Sequence, residues 1–209
     1  MSFDSLIAQQ EFKCEILADN PLFGSKIEGQ YEWVSFSEFN ENLKTYRSIF
    51  KSVGVEKKDR VAIIADNGVS WALSAYASYG LTAIFVPMYT NQRPRDWEYI
   101  INDCQPKLIL IQNEKLYKKF IKNLPQFESL NILILEDAKH LRNTISYHAK
   151  NSQLKLTPSE KPTKDDCATI IYTSGTTGSP KGVMLSHANI ISQCDAIEQA
   201  LPINEKDCT

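Results

Sequence analysis

The sequence predicts an α/β fold: a mainly parallel sheet with helices on both faces, joined to a strand–loop–strand unit. Between residues 59 and 135, short apolar runs alternate with segments whose apolar residues recur at helical spacing. Strands that are apolar throughout are buried on both faces, and in a parallel sheet helices provide that cover. Farther along, over 167–185, two apolar runs flank a segment rich in glycine, serine and threonine, which indicates strand, loop and strand.

The first clear element is a helix predicted at 37–53, after a poorly patterned stretch over 1–30. Its buried stripe consists of four residues at helical spacing, Phe39, Leu43, Tyr46 and Phe50. Ser37 is the predicted N-cap and Gly54 the predicted stop, because serine caps helix starts and glycine favours the backbone that ends them. Trp33, just before this helix, is expected to pack in the core or between subdomains.

An alternating unit follows the first helix. Its predicted strands are 61–65, 83–86, 108–111 and 132–135. Its predicted helices are 69–79, 95–103 and 114–123. No charged residue occurs from 67 to 92, but this stretch contains Gly80, Pro87 and several serines. It therefore indicates a buried helix, a glycine break and a buried strand rather than a membrane span.

A polar stretch divides the chain. Residues 141–166 are rich in lysine, serine, threonine and asparagine, which is typical of a connector. We therefore predict an N-terminal segment at 1–58, an alternating β/α subdomain at 59–140, this connector, and a loop-bearing unit at 167–209.

The amino-acid composition and net charge argue against several classes of protein. The chain has 209 residues, of which 43% are hydrophobic, and a formal net charge of −2. These values are typical of globular proteins and do not suggest a nucleic-acid partner. The five cysteines form no C-x-x-C pair and the three histidines have no ligand spacing, so we expect neither a disulfide scaffold nor structural zinc. The start of the chain lacks the features of a signal peptide, so a cytoplasmic location is expected.

The chemistry concentrates at 170–182, which reads Ile-Ile-Tyr-Thr-Ser-Gly-Thr-Thr-Gly-Ser-Pro-Lys-Gly. This segment combines hydroxyl residues, glycines and a lysine: Thr173, Ser174, Thr176, Thr177, Ser179, Gly175, Gly178 and Lys181. Small residues let backbone N–H groups converge on one anion, and hydroxyls add donors or reach a metal ion. A lysine supplies a point charge of the kind used on phosphate. The segment therefore predicts a polyphosphate-binding loop.

This loop differs from the common phosphate loop, in which Gly-Lys-Ser/Thr opens a helix. Here Pro180 and Gly182 flank the lysine and an apolar run follows, so Lys181 is predicted to lie in a strand. Ser186 is the predicted N-cap of the next helix. A surface turn without a ligand is the alternative interpretation. His187 has a catalytic and a structural interpretation; the positive end of a helix disfavours a charged imidazole, which favours the structural one.

Residues 173–182 resemble the phosphate-binding signature of the adenylate-forming (AMP-binding) superfamily. That superfamily includes acyl-CoA synthetases, luciferases and the adenylation domains of peptide synthetases. Every specified position of the signature is matched, and Ser179 lies where the family varies. Three further segments, 59–67, 70–72 and 84–89, resemble the long-chain fatty acyl-CoA synthetase branch. The resemblance extends from about residue 33 to the end of the chain.

The resemblance implies ATP-dependent activation of a carboxylic acid, for which the branch favours a fatty acid, to an acyl-adenylate and then to acyl-CoA. The residues implied to bind the ATP phosphates are Thr173, Ser174, Gly175, Thr176, Thr177, Gly178 and Lys181. Lys181 is also the implied catalytic residue, and Thr176 or Thr177 is implied to lie near Mg²⁺. The small molecules expected are ATP, Mg²⁺ and coenzyme A.

By the same resemblance the chain is expected to be an N-terminal fragment, with 1–58 in the large domain and 167–209 an incomplete phosphate-loop subdomain. The family's metal-binding acidic residue, ribose-binding aspartate and C-terminal lysine would lie beyond Thr209, so the chain alone is expected to be inactive. Two alternatives stay open: a fatty acyl-AMP ligase, which passes its acyl group to a carrier protein, and a non-catalytic nucleotide-binding or interaction fragment. Aryl and amino acid substrates also stay open, as does the oligomeric state.

The predicted helix at 114–123 carries four lysines, which have two interpretations. They could make peripheral contact with an anionic membrane surface. They could instead form a solvated face, with the apolar residues of the helix turned inward. We prefer the solvated face, because most charged runs have that origin.

Overall fold

The computed structural model describes residues 3–136, 141–151, 154–174 and 180–201 of the chain. In chain order its elements are α1 (Leu6–Ile16), β1 (Pro21–Ile27), β2 (Gln30–Ser35), α2 (Phe36–Ser52), β3 (Arg60–Ile64), α3 (Val69–Gly80), β4 (Ile84–Met88), α4 (Pro94–Cys104), β5 (Leu108–Ile111), α5 (Glu114–Asn123), β6 (Ile132–Ile134), α6 (Ile145–Asn151), β7 (Cys167–Ser174), β8 (Pro180–Ser186) and α7 (His187–Ala200). A 3₁₀ turn, Pro125–Phe127, precedes β6.

The main sheet has the strand order β6-β5-β3-β4-β7-β8. β3 pairs in parallel with β4 and β5, β5 with β6, and β4 with β7. β8 runs antiparallel to β7 at the edge of the sheet. The predicted mainly parallel sheet is therefore confirmed, and the predicted strand–loop–strand unit forms its antiparallel edge.

Helices cover both faces of this sheet, as predicted. Along β3, Val61 and Ile63 share one buried core with α2 and α3, whereas Ala62 and Ile64 share another with α4 and α5. Successive side chains of a strand point to opposite faces, so burial on both faces explains why this strand interior is apolar throughout. Fully burying a large aliphatic side chain contributes about 1.5–3 kcal/mol, so both cores stabilise the sheet.

At the start of helix α2, two serines, Ser35 and Ser37, are candidates for the N-cap. The N-cap is Ser35, so the prediction of Ser37 is wrong. Ser35 Oγ accepts a hydrogen bond from the Glu38 N–H at 3.2 Å, and the Glu38 carboxylate accepts one from the Ser35 N–H at 2.8 Å. This reciprocal capping box stabilises the helix start and lowers the pKa of Glu38. Ser37 has Asn40 three residues later rather than a glutamate. The stop is confirmed, because Gly54 has a φ of +85°.

The N-terminal elements α1, β1 and β2 are absent from the sequence-based prediction. β1 and β2 form a two-stranded hairpin that turns at Glu28 and Gly29, whose φ angles are 49° and 88°. Trp33 in this hairpin is 48% exposed and stacks on Tyr31, so of its two expected positions the one in the core is wrong. A two-stranded hairpin buries little of either face, which removes the apolar alternation that identifies a strand.

The predicted connector contains α6 and a segment, 154–166, that is fastened to α2. Arg47 of α2 is 1% exposed, and its Nε donates a hydrogen bond to the carbonyl oxygen of Thr157 at 2.9 Å. Its Nη1 lies 3.5 Å from the Glu11 carboxylate. Gly80 makes room for this side chain, because a Cβ there would lie 2.8 Å from Arg47 Cδ. These contacts hold the connector where it leads into β7.

For two segments, 67–92 and 114–123, the sequence also allowed an interpretation that involves a membrane. The uncharged stretch 67–92 forms α3 and β4, and none of the helices in the described part of the chain is long and apolar enough to cross a membrane. On α5, Phe120 is buried in the core, while Lys118 lies 2.5 Å from the Glu114 carboxylate. The Lys119 ammonium lies 5.1 Å from the centre of the Trp97 ring. The apolar side of α5 therefore faces the protein, and its lysines lie on the outer side.

Candidate functional site

The predicted phosphate-binding residues lie at the end of the β7–β8 hairpin. Thr173 pairs with Lys181, and Ser174 pairs with Pro180, where the two strands end. Lys181 therefore lies in a strand, as predicted, and not in the first turn of a helix. The residues between the strands, Gly175, Thr176, Thr177, Gly178 and Ser179, lie outside the described residues, so their roles stay predictions.

Thr173 and Lys181 project from the same face of the hairpin, because directly paired residues of a ladder share a face. Ile171 and Val183, the next pair on that face, are 40% and 43% exposed. Lys181 is exposed as well, and no ion pair within the described ranges involves its ammonium. An exposed ammonium beside a hydroxyl provides both a positive charge and a neutral donor for a phosphate group.

The opposite face of the hairpin packs toward α4. Ile170 and Tyr172 lie on this face against the core that includes α4 and α5. Gly182 pairs with Tyr172, and a Cβ at Gly182 would lie 2.9 Å from Ile170 Cγ2 and 3.1 Å from Tyr172 Cζ. The glycine therefore lets the Tyr172 ring cross the neighbouring strand. The Tyr172 hydroxyl donates a hydrogen bond to the Asp103 carboxylate in the last turn of α4, a pair that sequence reasoning missed.

The base of the hairpin is fixed at both strands. Thr169 Oγ1 in β7 donates a hydrogen bond to the carbonyl oxygen of Phe85 in β4 at 2.7 Å. At the end of β8, Ser186 caps α7, as predicted. His187 follows it, is buried, and accepts a hydrogen bond at Nδ1 from the Leu6 N–H at 3.3 Å. Burial lowers the pKa of His187, so this geometry agrees with the structural interpretation of the residue.

Polar side chains also meet at the carboxyl ends of the parallel strands. Thr90 Oγ1 donates to the Asp66 carboxylate at 2.7 Å. Gln112 accepts from the Asp66 N–H at 3.1 Å and donates to the Glu136 carboxylate at 3.3 Å. This network joins the ends of β4, β3, β5 and β6. Among the described residues it forms no metal centre, since no group of three or more histidine, cysteine, aspartate or glutamate side chains is arranged to hold an ion.

Residues 14–209 match the family model described as AMP-binding enzyme. The chain belongs to the AMP-binding enzyme family. Among its curated relatives, long-chain-fatty-acid–CoA ligase ACSBG1 of Bos taurus is 29% identical over 187 residues, which cover 82% of this chain and 25% of that protein. Fatty acyl-CoA synthetase A of Dictyostelium discoideum is 28% identical over 189 residues, which cover 86% and 27%. The chain thus spans about a quarter of the length of these relatives, and the predicted resemblance to the long-chain branch is confirmed.

Solved structures of adenylate-forming enzymes share the fold of this AMP-binding chain. The fatty acyl-adenylate ligase from L. pneumophila, in complex with acyl adenylate and pyrophosphate, matches with a TM-score of 0.76 at 20% identity, over 96% of this chain and 33% of that one. ATP-bound MatB from Rhodopseudomonas palustris matches with a TM-score of 0.74 at 23% identity, over 93% and 37%. At such identities the likeness shows the fold alone, and it confirms the fold class predicted from the sequence.

Proposed function

We propose that this AMP-binding chain supplies the polyphosphate site of an ATP-dependent acid–thiol ligase that converts a fatty acid to acyl-adenylate and then to acyl-CoA. The observation that carries the proposal is the pairing of Thr173 with Lys181 next to the connecting loop of the hairpin, on its exposed face. The substrate class is proposed from the names of the relatives, which are fatty acyl-CoA ligases and synthetases.

Lys181 and Thr173 have clear tasks in such a reaction. A carboxylate oxygen attacks the α-phosphorus of ATP, the bond from that phosphorus to the bridging oxygen breaks, and pyrophosphate leaves with the electron pair. The Lys181 ammonium and the Thr173 hydroxyl would hold the β- and γ-phosphates and stabilise the charge that develops on the leaving group. Ser174 and the residues that follow it, 175–178, would add backbone and hydroxyl donors to the same phosphates.

Magnesium and coenzyme A complete the proposal. The hydroxyl group of Thr176 or Thr177 would reach Mg²⁺, together with phosphate oxygens, because this ion prefers oxygen ligands. When bound, Mg²⁺ would neutralise part of the phosphate charge. In the second step the thiol of coenzyme A loses its proton to solvent and its sulfur attacks the acyl carbon. The bond between that carbon and the phosphate oxygen breaks, and AMP leaves with the electron pair.

The test is ATP–pyrophosphate exchange and thioester formation with the native protein that carries this chain. With ATP, Mg²⁺ and palmitate we expect exchange that depends on the fatty acid, followed by AMP release and acyl-CoA once coenzyme A is added. An acyl-adenylate that forms but is not consumed by coenzyme A would indicate a fatty acyl-AMP ligase. ATP binding without exchange with any fatty, aryl or amino acid would indicate a non-catalytic protein. Either result refutes the acid–thiol ligase.

A further inference from the structure

Tyr172, the residue before Thr173, connects the end of strand β7 to helix α4. Its ring lies across Gly182, the residue that follows Lys181, and its hydroxyl donates a hydrogen bond to Asp103 of α4. One side chain therefore contacts both strands beside the Thr173–Lys181 pair and fastens them to α4. Because a hydroxyl donates here to a carboxylate, the bond belongs to the stronger, charge-assisted class.

Asp103 lies on helix α4, which is packed firmly against the core. It is in the last turn of α4, and the same helix buries Trp97, Ile100 and Ile101 in the core. An acidic side chain near a helix C-terminus meets the negative end of the helix dipole, so helix stability does not account for Asp103. The contact that Asp103 does make is its hydrogen bond with the Tyr172 hydroxyl. Burial and this bond also raise the pKa of Tyr172, which keeps its hydroxyl a neutral donor.

Tyr172 and Asp103 act from the side of the hairpin that faces away from the proposed phosphates. Successive residues of a strand point to opposite faces, so the side chain of Tyr172 lies opposite those of Thr173 and Lys181. We propose that Tyr172 and Asp103 are positioning residues: their hydrogen bond holds the Thr173–Lys181 pair in the place that ATP activation requires. This inference rests on the proposed function.

Kinetics of Tyr172→Phe, Asp103→Leu and the double variant test the inference in the native protein. Tyr172→Phe keeps the ring over Gly182 and removes only the donor. We expect kcat/KM for ATP to fall about tenfold, a typical effect of losing one hydrogen bond to a charged group, with KM for the fatty acid unchanged. Both residues act through one bond, so the double variant should be no slower than the slower single variant. Asp103→Asn, which keeps an acceptor oxygen, should recover most of the rate, and Tyr31→Phe in β2 is the matched control.

Hydrogen exchange separates this inference from the proposed function. The backbone amides at the end of the hairpin should exchange faster in Tyr172→Phe than in the wild-type protein, whether or not the protein activates fatty acids. Faster exchange with unchanged ATP kinetics would make the bond purely structural and overturn the positioning role. Additive losses in the double variant, or an equal effect on KM for the fatty acid, would overturn it too. A wild-type protein that does not consume ATP refutes the proposed function itself, and the positioning role falls with it.

Discussion

Replacing Lys181 with alanine separates the proposed chemistry from the stability of the fold. Lys181 is exposed and forms no ion pair within the described part of the chain, so its loss should change the free energy of unfolding by no more than about 0.5 kcal/mol. Removing one preorganised charge contact to a developing anion costs about 10²–10³ in rate, or about 2.7–4 kcal/mol. The rate should therefore fall far more than the stability.

The assay compares kcat, measured as pyrophosphate release, with ATP affinity, measured by direct titration. Charge builds on pyrophosphate as it leaves, so Lys181→Ala should lower kcat more than it weakens ATP binding. Lys118→Ala on α5 removes another exposed lysine, one that lies away from the hairpin and pairs with Glu114, and should leave both quantities unchanged. Gly175→Val should instead abolish ATP binding, because a branched side chain blocks the close backbone approach of an anion. A kcat near the wild-type value in Lys181→Ala would refute the assignment of this hairpin as the phosphate site.

Three further predictions follow from contacts in the structure. Gly182→Ala places a Cβ 2.9 Å from Ile170 Cγ2, so urea denaturation should show a loss of about 1–3 kcal/mol; an unchanged midpoint would contradict this. Gly80→Ala gains about 1 kcal/mol in helix propensity, but its Cβ would lie 2.8 Å from the buried Arg47 Cδ, so we expect a net loss of stability, and a raised Tm would show that Arg47 gives way. Burial lowers the pKa of His187 below its ordinary value of 6.5, so its contribution to stability is complete above pH 6.5 and is lost as the pH falls toward the folded-state value. Stability curves of His187→Gln should be flatter over that range, and a parallel curve would refute the effect.

The parts of the fold that the sequence predicts are those that local burial determines. The boundaries of β5 and α5 agree residue for residue with the prediction, because a strand buried on both faces and a helix with one buried stripe both have a direct apolar pattern. The strand position of Lys181 was equally predictable, since Pro180 and Gly182 do not suit a helix start. In each case the deciding signal lies within a few residues of the element itself.

The contacts that the sequence does not predict join residues that are distant in the chain. Asp103 and Tyr172 are 69 positions apart, and Arg47 and Thr157 are 110 apart. No local pattern indicates that an exposed acid at the end of one helix will meet a tyrosine of a later strand. The prediction of a core position for Trp33 was wrong for a related reason, because an aromatic residue indicates burial only where a second layer covers it.

The hairpin has a base that is fixed to the sheet and one face that stays exposed. Thr169 fastens β7 to β4 at the base of the hairpin, and Tyr172 fastens the other end of β7 to α4. The Tyr172 side chain points away from the face that carries Lys181. The remaining face is left to Ile171, Thr173 and their partners, which stay exposed. A site that must bring several donors to one polyphosphate gains from such an arrangement, because donors held in place before binding need no reorganisation during the reaction. The two side chains that sequence reasoning predicted in β7 and β8, Thr173 and Lys181, are thus supported by residues that only the packing of the whole sheet reveals.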